Sequence, residues 1–494
     1  MKTNTLDFDA QALRDKILDL AMRGKLVPQD PNDEPASVLL EKIKAEKAEL
    51  VKEKKIKKSK PLPPITDDEK PFDIPDNWEW VRLGDVLTIL RGGSPRPIKK
   101  YLTNDPDGIN WIKIGDSSEN SKYIDHAAEK IIPEGLSKTR IVHKGDFLLS
   151  NSMSFGRPYI LKINGAVHDG WLILSNYESI FNKDYLYYLL SSKFISKQFS
   201  SLATGSTVKN LNRERVSNTV ALLPPLSEQS RIAAKIAQLF ALLRKVESST
   251  QQYAKLQTLL KSKVLDLAMR GKLVKQDPND EPTSELLKKI KAEKAELIKE
   301  KKIKKSKPLP PITDDEKPFD IPDSWEWVRL GNVVDIRGGK RVPKGEKLDE
   351  VKSYKPYIRV SDMKNETIDL KHLRYANKMI FQQIHNYTIS SNDIYFSIAG
   401  TIGKVGEVPD VIDGALLTEN AARLRLINST LLIKLFLIDI LKSQIVKDQH
   451  KKILSKVAQP KLALIKLKNT MIPIPPVSEQ KSISTKLINL GQIL

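Results

Sequence analysis

No cysteine occurs in the 494 residues. That absence excludes disulfides, thiolate nucleophiles, Cys-ligated zinc and iron–sulfur clusters, and it fits a cytoplasmic protein. Long apolar runs are missing too. The most apolar stretch, Leu431–Leu441, is interrupted by Lys434 and Asp439. It is shorter than the roughly 20 residues a spanning helix needs, so it reads as a buried helix and no membrane partner is expected. The opening MKTNTLDFDAQ has no apolar core of a secretory leader.

Catalytic signatures are also absent. GTIGKVG at 400–406 has the spacing of neither a dinucleotide loop nor a P-loop, and no Ser or Thr follows Lys404. The histidines, His126, His143, His168, His372, His385 and His450, show no ligand spacing. There is no Gly-x-Ser-x-Gly elbow and no Asn/Asp-Pro-Pro-aromatic loop of the methyltransferase type. Strings such as Glu46–Lys47 and Glu53–Lys55 belong to solvated Lys/Glu helices rather than to a nuclease site. We therefore assign no catalytic residue, cofactor or metal. What the chain has in excess is positive charge: 82 Lys and Arg against 61 Asp and Glu give +21. Such a balance points to a polyanionic partner, nucleic acid first, although solvated helices account for part of it.

The chain also says nearly the same thing twice. Ile17–Val86 reappears as Val264–Val333 with 8 differences in 70 positions. The differences are Ile17/Val264, Pro28/Lys275, Ala36/Thr283, Val38/Glu285, Glu41/Lys288, Val51/Ile298, Asn77/Ser324 and Asp85/Asn332. A weaker echo closes each half, LLPPLSEQ at 222–229 and PIPPVSEQ at 473–480, while 87–221 and 334–472 have diverged almost completely. The period is far too long for a solenoid. It describes two copies of one module, each a fixed frame around a variable insert.

The longest helical signal covers 227–273. Leu226, Ile232, Ile236, Leu239, Leu243 and Val246, then Leu256, Leu259, Leu260, Val264, Leu265 and Leu267, recur at three- and four-residue spacing. Ser227, Glu228 and Gln229 after Pro224–Pro225 suit its start, and Gly271 its end. At 1.5 Å per residue this makes a rod of about 65 Å, whose apolar stripe asks for a partner helix. The tail Ser478–Leu494 aligns with Ser227–Leu243 and the head Met1–Leu26 with Ser248–Leu273. Together they rebuild a second rod, so the expected plan is a circularly arranged, pseudo-two-fold repeat with two long antiparallel helices. A further helix follows each rod, Ser37–Lys58 and Ser284–Lys305, ending in the lysine runs 52–60 and 299–307, which suit phosphate contact and plain solvation alike. Pro-rich linkers then lead into WEWVRLG at 78–84 and 325–331, which alternates like a strand. The inserts mix short β-like runs (110–114, 146–150, 158–163; 357–360, 393–398, 404–408) with a helix toward each end, 183–199 and 431–449, as α/β globules do.

Recognition chemistry concentrates in two places in each insert. RGG follows the opening strand in both, as Arg91-Gly92-Gly93 and Arg337-Gly338-Gly339. Glycine permits close backbone approach, and arginine offers a bidentate fork for guanine or phosphate. Ser94, Arg96, Lys99 and Lys100 continue the first, and Lys340, Arg341 and Lys344 the second. Late in the first insert, 204–215 carries Thr204, Ser206, Thr207, Lys209, Asn210 and Arg213; its counterpart 450–462 carries Lys451, Lys452, Lys456, Gln459 and Lys461. A solvated surface turn is the competing reading for each loop.

These features resemble the specificity subunit of type I restriction–modification systems. The resemblance rests on ILDLAMRGKLV (17–27) and its echo at 264–274, the IP-x-x-WEWVRLG openings, GSTVKNL (205–211) and the PPLSEQ and PPVSEQ closings, and it covers essentially the whole chain. It implies an α+β protein with two target recognition domains, 77–226 and 324–477. Around them lie helical segments 1–76, 227–323 and 478–494, the last pairing with the N-terminal helix. The implied partners are double-stranded DNA, two methyltransferase subunits and restriction–translocase subunits. Those subunits would carry the adenosylmethionine and ATP sites, so this chain itself would be non-catalytic. Each domain would read one part of a split target, with the helices setting the unread gap. The second insert departs from the pattern, with SKVAQPKL (455–462) where the first has GSTVKNL. Rival readings are a self-sufficient methyltransferase or nuclease with a fused reader, which the missing motifs oppose, and a coiled-coil scaffold, which the divergent inserts oppose.

Overall fold

The computed structural model describes residues 8–53, 61–119, 121–151, 155–201, 211–454 and 460–493. The chain divides into two units, Leu6–Thr250 and Gln251–Leu494.

In the first unit, Asp9 caps the helix Ala10–Met22 by accepting from the Ala12 N–H at 2.9 Å. The helix stops at Gly24, whose φ of +64° only glycine adopts freely and whose missing side chain leaves room for Pro75. Helix Ala36–Lys52 follows. The opening strand Glu79–Arg82 then pairs antiparallel with the closing strand Val220–Leu223, so the insert leaves and returns at adjacent positions. Arg82, 4% exposed, ties down the Pro-rich linker: its guanidinium donates to the carbonyls of Pro63 (2.7 Å) and Pro64 (3.1 Å) and to Glu69 (2.8 Å). A second clamp sits where the central helix begins. Buried Glu228 accepts from Trp78 Nε1 at 2.8 Å and from Gln29 at 2.6 Å. Burial raises the Glu228 pKa, and those two donors oppose the rise.

The second unit repeats this frame. Glu326–Arg329 pairs with Met471–Ile474. Arg329 donates to Pro310, Pro311 and Glu316. Glu479 accepts from Trp325 at 2.9 Å and Gln276 at 2.5 Å.

The inserts differ in sequence yet share a strand order. In the first, one sheet runs Thr88–Arg91, Trp171–Ser175, Phe147–Ser150, Pro158–Leu161, Tyr123–Ile124. The other runs Leu102–Thr103, Glu129–Ile131, Ile109–Ile112, Gly165–Val167, Arg140–Val142. In the second, Val334–Gly338, Ala421–Leu426, Ile394–Ser397 and Val405–Glu407 form one sheet, and Arg374–Ala376, Lys355–Ile358, Ala415–Leu417 and Thr388–Ile389 the other. Removing the outer strands Tyr123–Ile124 and Leu102–Thr103 from the first gives the order of the second.

Two expectations are modified. Each terminal insert helix is split, into Lys183–Leu190 and Lys193–Ser201, and into Lys434–Lys442 and Gln444–Leu454. In the first unit Ser192 makes the break, its hydroxyl donating to Leu189 O and accepting from the Ile195 N–H. The central helix runs Leu226–Met269, as its apolar spacing predicts, but its stripe is buried only near the ends, at Ile232, Ile236, Ala268 and Met269. Its middle is open, with Tyr253, Leu256 and Leu259 more than half exposed. Among the described residues no helix is long and apolar enough to cross a membrane.

Candidate nucleic-acid interface

Each insert converges on one turn, and the backbone geometry of that turn is the same in both units. In the first unit the chain leaves Thr88–Arg91 and passes so close to its neighbour that a Cβ on Gly92 would lie 2.2 Å from His168 O. Gly92 N–H donates to Trp171 O at 2.9 Å and Gly93 N–H to Val167 O at 3.2 Å. In the second, Gly339 donates to Ala421 O at 3.0 Å and Lys340 to Leu417 O at 2.8 Å, with 2.2 Å from a Cβ on Gly339 to Leu417 O. These glycines therefore serve approach to their own chain rather than to a ligand. The turns so reached are His168-Asp169-Gly170 and Thr418-Glu419-Asn420. A third segment joins each. Asn151 N–H donates to Gly170 O and Leu211 N–H to Asn151 O in one unit; Ile398 N–H donates to Asn420 O and Leu462 N–H to Ile398 O in the other. The two loop regions singled out in each insert thus end at one place.

The carboxylate at the tip organises the side chains. Asp169 accepts from Ser94 Oγ at 2.9 Å, lies 3.5 Å from Arg96 Nη2, and through its carbonyl accepts from Arg91 Nε (3.3 Å) and Asn151 Nδ2 (2.8 Å). Its other neighbour is His168. The Nδ1 of that ring accepts from Gly170 N–H at 2.9 Å, which leaves the proton on Nε2, 3.1 Å from Asp169. Burial pushes the Asp169 pKa upward, but the Ser94 bond, the neighbouring His168 and the charges of Arg91 and Arg96 outweigh it and hold the group below its ordinary value. Glu419 has the same character: burial is overcome by the bonds from Arg341 (Nε, 2.8 Å) and Thr418 (3.0 Å).

Several expected residues are gathered here: Arg91, Gly92, Gly93, Ser94 and Arg96 about one turn, and Lys340 and Arg341 about the other. Lys461 lies next to the second turn, bridging to Ala399. Others are not gathered. Lys99 sits on the single turn Ile98–Lys100, and Lys344 is exposed beyond Arg341. Arg213 opens the short helix Arg213–Asn218. Lys451 and Lys452 belong to helix Gln444–Leu454, not to a loop, and line a cleft with Arg270 and Phe319 of the frame. Thr204, Ser206, Thr207, Lys209, Asn210, Lys456 and Gln459 lie outside the described residues.

The RGG correspondence needs correction. The register that pairs Arg91 with Leu172 pairs Gly338, not Arg337, with the matching Ala422. The two RGG runs are therefore one residue out of step, and the pleat sends Arg91 and Arg337 to opposite faces. Arg337 is turned onto its own chain, 2.8 Å from Asp335 and donating to Lys302 O at 3.2 Å. The turn residues Asn151, His168, Asp169, Thr418 and Glu419 were missed by sequence reasoning. Their only signal is an acid between two short apolar runs, HDGW and TENA, which is common in surface turns. Among the described residues no group of three or more His, Asp or Glu is placed to hold a metal ion.

The type I restriction modification DNA specificity domain family matches residues 75–257 and 322–494. The chain is 33% identical over 545 residues to the type I restriction enzyme EcoAI specificity subunit of Escherichia coli, covering 98% of this chain and 89% of that protein. It is 37% identical over 378 residues to the EcoEI specificity subunit of Escherichia coli, covering 66% of this chain and 62% of that one. Among solved structures, the HsdS subunit from Thermoanaerobacter tengcongensis superposes with a TM-score of 0.52 at 21% identity, over 85% of this chain and 91% of that one. A chain from a study of assembly and conformational transition in the type I R-M system gives 0.58 at 21% identity, over 85% and 92%. These two likenesses show a shared fold.

Proposed function

The chain belongs to the family of type I restriction modification DNA specificity proteins, and from that premise we propose that it reads double-stranded DNA as a bipartite target. Residues 77–226 and 324–477 are the two reading domains, each engaging one half-sequence through the loops that meet at its carboxylate turn. The segments 1–76, 227–323 and 478–494 form the frame. They dock two methyltransferase subunits and, for cleavage, restriction–translocase subunits, and the helices set the unread gap. Chemistry resides in those partners; this chain supplies no catalytic group and acts in the cytoplasm.

The observation that carries this reading is the contrast between frame and insert. The frames agree at all but 8 of 70 positions, whereas the inserts keep a common strand order and share almost no sequence. A scaffold has no reason to vary there, and a catalytic domain would have to keep its reacting groups in both copies. Divergent surface on a constant fold is what two different base sequences demand. The test is to replace 87–221 with the insert of another such protein and map methylated adenines in host DNA. One half of the target should change and the other persist. Change in both halves, or in neither, refutes independent reading domains.

A further inference from the structure

Both turns hold an arginine that is otherwise in solvent. The Arg341 side chain is 81% exposed, yet its Nε donates to Glu419 Oε1 at 2.8 Å. Arg96 is 83% exposed with Nη2 3.5 Å from Asp169 Oδ2. The two arginines do not correspond in sequence. Arg341 stands two residues after the approach glycine, where the first unit has Ser94, which also bonds its turn acid. Different residues thus reach the same carboxylate in inserts that have otherwise diverged. The carboxylate is itself fixed, since the turn is pinned on both sides by the paired backbone bonds from Gly92 and Asn151, or from Gly339 and Ile398.

We propose, resting on the reading given above, that Asp169 and Glu419 are positioning residues that set base specificity by presenting Arg96 and Arg341 to the DNA. Three physical points support it. An acid facing a phosphate backbone is repelled, so its presence among basic loops has to be explained by something other than phosphate contact. An unrestrained arginine surrenders much rotamer freedom on binding, and one held by a rigid carboxylate has already surrendered it. Finally, the Arg341 guanidinium is bonded through Nε and keeps both Nη groups, the fork that matches guanine O6 and N7 in the major groove, whereas Arg96 meets its acid through Nη2. The base class read by Arg341 is therefore guanine.

The experiment uses the full chain with its methyltransferase partners. The wild-type target is first mapped from methylated adenines, and binding is then measured on duplexes carrying single base-pair changes. Glu419→Gln keeps the size of the side chain and removes its charge. It should relax discrimination at one G·C pair, by about tenfold or more, only in the half read by the second insert. Arg341→Ala should relax the same pair, and the double variant should go no further. Asp169→Asn and Arg96→Ala should each relax one and the same base pair in the other half. An unchanged half in each case serves as the internal control for folding. If Arg341→Ala relaxes one pair and Glu419→Gln does not, positioning is refuted while DNA reading stands. If both variants weaken binding uniformly on all duplexes, Arg341 is a phosphate contact and the proposal fails. If exchanging inserts leaves the target unaltered, the underlying reading fails instead.

Discussion

Replacing His450 with phenylalanine should make the second unit less sensitive to acid without disturbing its fold. His450 is 5% exposed, faces Phe396 edge-on at 5.6 Å, and has Thr470 Oγ1 2.9 Å from Nε2 as its polar neighbour. Burial depresses its pKa from 6.5 to about 4. A base with a depressed folded pKa stabilises the fold fully above its unfolded value and loses that stability as pH falls. The window is therefore pH 6.5 down to about 4, with a slope of about 1.4 kcal/mol per unit and a total of roughly 3 kcal/mol. Phenylalanine is the right probe because the first unit already uses it. Phe199, 1% exposed, follows Gln198 as His450 follows Gln449, and Thr219, at the position of Thr470, donates its hydroxyl to Arg215 O at 2.9 Å. Thr470 has the same recourse, with Lys466 O at 3.4 Å. The assay is urea unfolding at pH 7, 6, 5 and 4.5 for both proteins. Carboxylates that titrate in the same range are common to the two and cancel in the difference. Wild type should lose stability relative to His450→Phe progressively below pH 6.5. Parallel curves would show that the imidazole is hydrated or relocates on protonation, and would refute the argument.

Two further outcomes follow from the frame. Removing the indole donor in Trp78→Phe or Trp325→Phe leaves buried Glu228 or Glu479 one hydrogen bond short, which should cost roughly 1–3 kcal/mol; a loss below about 0.5 kcal/mol in denaturant unfolding would show that the clamp contributes nothing beyond packing. In the second lysine run, Lys301, Lys302, Lys304 and Lys305 are exposed. Changing all four to Gln should shallow the salt dependence of DNA binding by about 0.9 in log–log slope for each phosphate no longer neutralised, and an unchanged slope would assign the run to solvent or to a protein partner.

What was legible in the sequence was what depends on period and repetition. Apolar spacing placed the central helix to within a few residues of Leu226–Met269, and Gly271 marked its end because a left-handed residue must follow it. The opening strands and six of the insert strands, among them Phe147–Ser150 and Ile394–Ser397, were readable from alternating or continuous apolar runs. What escaped depends on tertiary bonds that leave no period. Nothing in PPLSEQ says that Glu228 meets Trp78, 150 positions earlier. Nothing in WEWVRLG says that its arginine holds two proline carbonyls. The RGG offset has a sharper cause: along a strand a one-residue shift reverses the face, so matching three letters without matching the register wrongly equated Arg337 with Arg91. The turn acids were invisible because their neighbours come from three separate loops.

The manner in which each frame grips its insert explains how one can vary while the other stays fixed. Gln229, fully buried, donates to the carbonyls of Ile180 and Pro224 and accepts from the Asn182 N–H at 2.8 Å. Gln480 does the same with Leu431, Pro475 and Ile433. Within the inserts, Gln198 and Gln449 each clamp the closing strand by exchanging bonds with the main chain of Val220 and Met471. Arg82 and Arg329 likewise hold the carbonyls of Asn218 and Asn469. Apart from the two insert glutamines, these are contacts of frame side chains to backbone atoms, which every sequence supplies. Apart from Gln198 and Gln449, the contacts named here ask for no particular side chain inside the insert, provided its strand order is kept. The opening and closing strands are adjacent, so a replaced insert has only to return the chain to where it left. Recognition loops borne on such a platform can change without unsettling the frame.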